Sequence, residues 1–111
     1  MPINYKILGQ AHPAGTSETD LYTVPSSTQA VISTLTITNV TGNGASARVW
    51  IRNNGATTAH SNAILFDVSI GANSIAAFTL GLTVDAADVI TVRGSAGNHL
   101  TFQVFGSEIT A

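Results

Sequence analysis

Cysteine is absent from this 111-residue chain, which excludes disulfide frameworks, thiolate catalysis, Cys-ligated zinc and any thiol redox role. Charge is scarce: four Lys plus Arg stand against six Asp plus Glu, and the formal net charge is -2. No basic field attracts phosphate backbones or anionic lipid, so neither nucleic acid nor membrane is an expected partner. Apolar runs fall far short of the roughly 20 residues of a membrane-spanning helix. The opening MPINYKILGQ has one Lys and no unbroken apolar stretch of the kind a secretory signal needs. A soluble protein that is not exported by that route is the expectation. Prolines number three, Pro2, Pro13 and Pro25, each at a terminus or between strand-like runs, where no ladder donor is lost.

Hydrophobic residues make up 44% of the chain, with Val, Ile, Leu, Thr and Ala plentiful, a composition that folds rather than stays disordered. A chain of this size buries roughly 65% of its unfolded surface, enough for one core without a metal or disulfide. One β-sandwich domain over residues 1–111 is expected, with short terminal arms. Period-2 alternation, broken by Gly, Asn, Ser and Pro clusters at intervals of roughly 8 to 13 residues, signals all-β structure. About eight strands are read, at 3–9, 20–24, 29–41, 45–53, 63–70, 74–80, 89–93 and 99–105.

In the third strand, Val31, Ser33, Leu35 and Ile37 fall on one face, against Ile32, Thr34, Thr36 and Thr38 on the other. The first is read as core and the second as a wetted threonine ladder, since Thr favours the pleated surface and its hydroxyl accepts water. In the fifth strand Ile64, Phe66, Val68 and Ile70 are expected inward, with Asp67 and Ser69 outward. The last strand places Leu100, Phe102 and Val104 inward and Thr101 and Gln103 outward. Turn chemistry sits between strands at Gly42-Asn43-Gly44, Asn53-Asn54-Gly55, Gly71-Ala72-Asn73 and Gly94 to Asn98, each supplying residues that tolerate positive φ. Two antiparallel sheets packed face to face bury all these apolar faces, whereas one open sheet would leave its apolar face bare. The fold class is therefore an all-β antiparallel sandwich, jelly-roll-like, with an immunoglobulin-like strand order as the competitor.

No constellation for a reaction emerges. Asp85 and Asp88 are spaced as a turn whose side chains cap neighbouring N–H groups. His12, His60 and His99 lie in or beside separate loops without metal-ligand spacing. Arg93-Gly94-Ser95-Ala96-Gly97 lacks the first glycine of a nucleophile elbow, and Gly42-Asn43-Gly44-Ala45 is neither a dinucleotide fingerprint nor a phosphate loop. No enzyme, cofactor or metal site is expected. The strongest surface signal is the fourth strand, where Arg48, Trp50 and Arg52 oppose Ala47, Val49 and Ile51. Trp and Arg are enriched at interface hot spots, so Arg48, Trp50 and Arg52 are candidate contact residues, alongside Ile3, Tyr5 and Ile109 at the ends. The competing reading tucks Trp50 under a loop at the sandwich edge.

Several segments together carry a resemblance: Tyr5-Lys6-Ile7-Leu8-Gly9-Gln10, Leu21-Tyr22-Thr23-Val24-Pro25, Leu80-Gly81-Leu82-Thr83 followed by Asp88-Val89-Ile90-Thr91-Val92, and Leu100 through Glu108. The chain resembles a family of small β-rich virion structural proteins of tailed bacteriophages, including cyanophage-type phages. The resemblance implies a non-enzymatic virion protein, either a capsid decoration or cement protein on the head or a tail or fibre component. The implied partners are the major capsid protein or other virion proteins and further copies of the chain, with Pro2 to Tyr5 and Ile109-Thr110-Ala111 as candidate arms. Under the tail alternative the implied ligand is a host-surface glycan.

Overall fold

A computed structural model describes residues 2–110 and shows an all-β chain of two antiparallel sheets packed as a sandwich. Eight strands run in order: β1 (Ile3–Ala11), β2 (Thr19–Thr23), β3 (Thr28–Asn39), β4 (Ala45–Arg52), β5 (Ala63–Ile70), β6 (Ile75–Val84), β7 (Val89–Gly94) and β8 (Leu100–Thr110). One sheet has the order β1-β8-β3-β6 and the other β2-β7-β4-β5. Among consecutive strands, only β4 and β5 pair with each other; every other connection crosses between the sheets. The pairs β1 with β8, β2 with β7, β3 with β6 and β4 with β5 are those of one long hairpin rolled over on itself. That is a jelly roll, and it excludes the immunoglobulin-like order.

The turn chemistry works as its residues demand: Asn54, Gly55, Asn73 and Asn98 all take positive φ, between 53° and 75°. Asp88 closes the turn before β7, its carboxylate accepting from the Asp85 and Asn54 amides at 2.8 Å. Asn39, buried at the end of β3, accepts from the Thr41 amide and donates to Ile70 O and Asn43 O, pinning the start of the β3–β4 connection.

The core lies between the sheets and is built from Ile32, Leu35, Ile37, Val49, Ile70, Ile90, Val92, Leu100, Phe102 and Val104, with Leu21 and Tyr22 from β2. In β8 the expected alternation holds, and Leu100, Phe102 and Val104 face inward. In β3 it holds only in the second half. The ladder shifts between Ile32 and Thr34, leaving Ser33 as an irregularity, so Ala30 and Ile32 face inward with Leu35 and Ile37 while Val31 turns outward. The expected pairing of Val31 and Ser33 with the core face is thereby corrected. In β5, Phe66 and Asp67 lie together opposite Arg48, Asp67 at φ 56°, so Phe66 is on the outside and not in the core.

One polar cluster sits on the inward side of the first sheet. Glu108 is buried, accepts a 2.5 Å hydrogen bond from the Tyr22 hydroxyl, and its other oxygen lies 2.7 Å from Lys6 Nζ. The hydrogen bonds from Lys6 and then Tyr22 hold the Glu108 carboxyl below its usual range, while burial, reinforced by Glu108, pushes the Tyr22 hydroxyl up. A depressed carboxyl contributes stability above its unfolded value of 4.5, lost as pH falls from there through the folded value. A raised phenol contributes stability below its unfolded value of 10.0, lost as pH rises beyond it. Urea-unfolding free energies against pH should therefore fall on both sides of this window, and Glu108→Gln should flatten the acid slope while only lessening the alkaline one, which burial of Tyr22 sustains; an unchanged acid slope would remove the cluster from the account.

Candidate functional site

The outward face of the β1-β8-β3-β6 sheet is built in cross-strand rows. Ile3 pairs with Ile109 and that with Gln29; Tyr5 with Ser107, then Val31 and Thr83; Ile7 with Phe105, then Thr34 and Thr79. Further along, Gln10 and Gln103 join side chains at 2.7 Å, followed by Thr36 and Ala77, and then Thr38 beside Ile75. One half of the face is thus apolar and the other rich in hydroxyls and amides. Three large side chains of β1 stand in water: Ile3 is 51% exposed, Tyr5 83% and Ile7 53%. Partly exposed Val31, Phe105 and Ile109 extend the patch across the sheet. A shallow groove of about 370 Å³ lies at its end, lined in part by Gln29, Val31, Thr83 and Ile109. Apolar side chains grouped on one sheet face mark an association surface more often than scattered ones do.

Of the six residues singled out from the sequence, Ile3, Tyr5 and Ile109 come together here. They do so as paired strand residues and not as free arms: β1 and β8 carry the ladder almost to each end, because each supplies the other's backbone partners. Ala111, the last residue of the second candidate arm, lies outside the described residues. Ile7, Phe105 and Val31 were not singled out. Their phase on one face with Tyr5 could have been read for Ile7, whereas Val31 required the irregularity at Ser33.

The other three lie on the outward face of the second sheet, as their alternation demands. Trp50, however, is only 4% exposed. It stands outside the inter-sheet cluster, on the face covered by the connection from β4 to β5, whose 3-10 turns Asn53–Gly55 and His60–Asn62 pack against β7 and β4. Arg52 fastens this cover: Nε donates to Ala56 O at 2.7 Å, Nη2 to Gly55 O at 3.0 Å, and Nη1 reaches Asp20 Oδ1 at 3.1 Å. The expectation of an outward-standing, accessible Trp50 is corrected accordingly, and the tucked-under-a-loop reading describes it. Arg48 forms a forked pair with Asp67, at 2.6 and 3.1 Å, and stacks 4.0 Å above the Phe66 ring, which His60 meets edge-on at 5.1 Å. The Arg48 guanidinium holds the Asp67 carboxyl below its usual range, with Arg93 adding to the effect. The hollow between Arg48, Asp67, Arg93 and Ser95 measures about 50 Å³, room for a water or two.

Among the described residues no group of three or more His, Cys, Asp or Glu is placed to hold a metal ion, and no helix is long and apolar enough to cross a membrane. The three histidines serve separate loops: Nδ1 of His12 lies 3.0 Å from Leu100 O and that of His99 2.8 Å from Gly97 O, while His60 meets Phe66.

No protein-family model matches the chain, and no curated protein matches it by sequence. Solved structures do. A subunit from Bacillus endospore appendages, described as a family of disulfide-linked pili, is similar over 97% of this chain and 88% of its own, at 19% identity and a TM-score of 0.60. A structure of infectious bursal disease virus, Gt strain, is similar over 96% of this chain but only 32% of its own, at 11% identity and a TM-score of 0.48. The likeness to the pilus subunit, at 19% identity, shows the sandwich fold alone.

Proposed function

We propose that the protein is a non-enzymatic structural component of a tailed-phage virion, most specifically a decoration or cement protein that binds and stabilises the outside of the head. The observation that carries the reading is the uncharged outward face of β1 and β8, with Ile3, Tyr5 and Ile7 each more than half exposed. An interface core is apolar, aromatic and poor in charge, with hydrogen-bonding groups around it, and this face has that composition. The Thr and Gln groups on its far half suit the rim. A protein that binds the assembled shell better than its parts raises the shell's stability by mass action. The pilus neighbour gives modest support: a jelly roll of this size serves there in an appendage. Linkage through disulfides is closed to this chain, which has no cysteine.

The test begins with location. Gold-labelled antibody on parent virions should decorate the whole head, and purified protein should raise the disruption temperature of undecorated heads; label confined to the tail would overturn the cement role. The contact face is tested by Ile3→Ser, Tyr5→Ser and Ile7→Ser combined. These side chains are exposed, so the circular dichroism spectrum should be unchanged while head occupancy is lost. Retained occupancy would move the interface elsewhere.

A second reading, a tail or fibre module that binds a host-surface glycan, draws on one feature. Phe66 is 42% exposed and lines a groove of about 280 Å³ with His60, Ala63 and Ile64. An exposed ring is what a sugar face stacks on, and a glycan array would reveal binding that Phe66→Ala removes.

A further inference from the structure

Among the described residues, four strands have one side unpaired by any other strand: β1 and β6 in the first sheet, β2 and β5 in the second. Each unpaired side offers a row of N–H and C=O groups that another strand could satisfy, and soluble proteins blunt such edges with charge, proline, bulges or brevity. Three of the four are blunted here. β1 carries Lys6, follows Pro2 and has a register shift between Ile7 and Gly9. β2 is five residues long, contains Asp20 and shifts register between Asp20 and Tyr22. β5 is interrupted where Asp67 takes positive φ opposite Arg48. β6 differs. Its ten residues, IAAFTLGLTV, include no charge and no proline; its ladder with β3 shifts only between Thr79 and Leu82, and Ile75 to Thr79 stay in register with Thr38 to Thr34. An uncharged, apolar β-forming run on an open edge is an adhesive element.

We infer that the free edge of β6 is a self-association site, pairing antiparallel with β6 of a second copy to join two four-stranded sheets into one of eight. A second copy is the fitting occupant because a two-fold axis through Ala77 makes the segment complementary to itself. Residues opposite each other across an antiparallel pair share a face. That axis sets Ala77 against Ala77 and Ile75 against Thr79 on the outward face, and Ala76 against Phe78 on the core side. It is the register that uses the whole straight segment. Ile75, 62% exposed beside Thr38, is covered in this arrangement, as is the partly buried Phe78. The interface is isologous and closed, so association stops at the dimer. The homo-oligomer expected from the sequence thereby acquires a surface, and the inference holds or fails wherever the protein resides.

The absence of cysteine makes the experiment direct. Sedimentation of the full chain over a range of concentrations should show a monomer–dimer equilibrium. Ala77→Lys, which sets like charges against each other on the axis, should abolish the dimer while leaving the circular dichroism spectrum intact. Ala77→Cys should form a disulfide-linked dimer under mild oxidation, and Thr23→Cys on the β2 edge should not. A wild-type chain that stays monomeric at the highest concentrations would overturn the proposal. So would a dimer untouched by Ala77→Lys, or cross-linking no better at position 77 than at 23. Loss of head decoration with the dimer intact would count against the virion reading alone.

Discussion

Trp50→Ala is expected to cost the fold about 3–5 kcal/mol, the range for emptying a large aromatic site. Against a typical total of about 5–15 kcal/mol, that is enough to populate the unfolded state at moderate temperature. Trp50 is buried although it points away from the inter-sheet core, beneath the cover that Arg52 ties down. Its removal leaves a cavity under the 3-10 turns and frees the 53–62 connection to detach. Arg52→Ala attacks the same cover from outside, removing hydrogen bonds to Ala56, Gly55 and Asp20, and should cost less, since the guanidinium is partly solvated. Urea unfolding measures both. Under the proposed decoration role, folded Trp50→Ala protein should still occupy phage heads, in contrast to the Ile3, Tyr5 and Ile7 combination. A stable Trp50→Ala protein with lost head binding would restore Trp50 to the interface.

Gly106→Ala should be destabilising by about 3 kcal/mol or more, at or beyond the upper end for overpacking, because the obstruction is backbone. Gly106 faces inward on β8, opposite Lys6 on one side and Ile32 on the other. A methyl group there would overlap the Val31 carbonyl oxygen and lie 2.9 Å from the Val31 carbonyl carbon and 3.1 Å from Ile32 Cα. The approach is close because β3 departs from regular register at Ser33, whose hydroxyl donates to Phe105 O at 3.2 Å. Relief would require parting β3 from β8, the pair at the centre of the sheet. Gly81→Ala is the control: a Cβ at Gly81 meets nothing within 4 Å, and that change should be neutral or slightly stabilising. Thermal melts of the two variants side by side decide the matter, and similar midpoints would show that the β3–β8 ladder gives way easily.

The strands themselves were legible from alternation and turn residues, and all eight occur. The inward phase of Leu100, Phe102 and Val104 and the positive φ of Asn54, Asn73 and Asn98 followed from residue type alone. The last strand runs on to Thr110, beyond the expected 99–105, because Gly106 and Glu108 occupy inward positions where an apolar residue would have marked the strand. Glu108 is admissible there only with Lys6 and Tyr22 as partners, and both are distant in sequence.

Of the candidate site, the sequence named Ile3, Tyr5 and Ile109 and placed Arg48, Trp50 and Arg52 on one face. It determined which residues alternate, and so a sandwich built from strands with one apolar face, because side-chain direction along a strand is a local property. Tertiary structure alone decided the rest. The jelly-roll order depends on which strands meet, the faces of Val31 and Phe66 on where a neighbouring ladder skips a residue, and the burial of Trp50 on a connection folding back over it. Each of these is set by a partner remote in the chain, and alternation carries no information about partners.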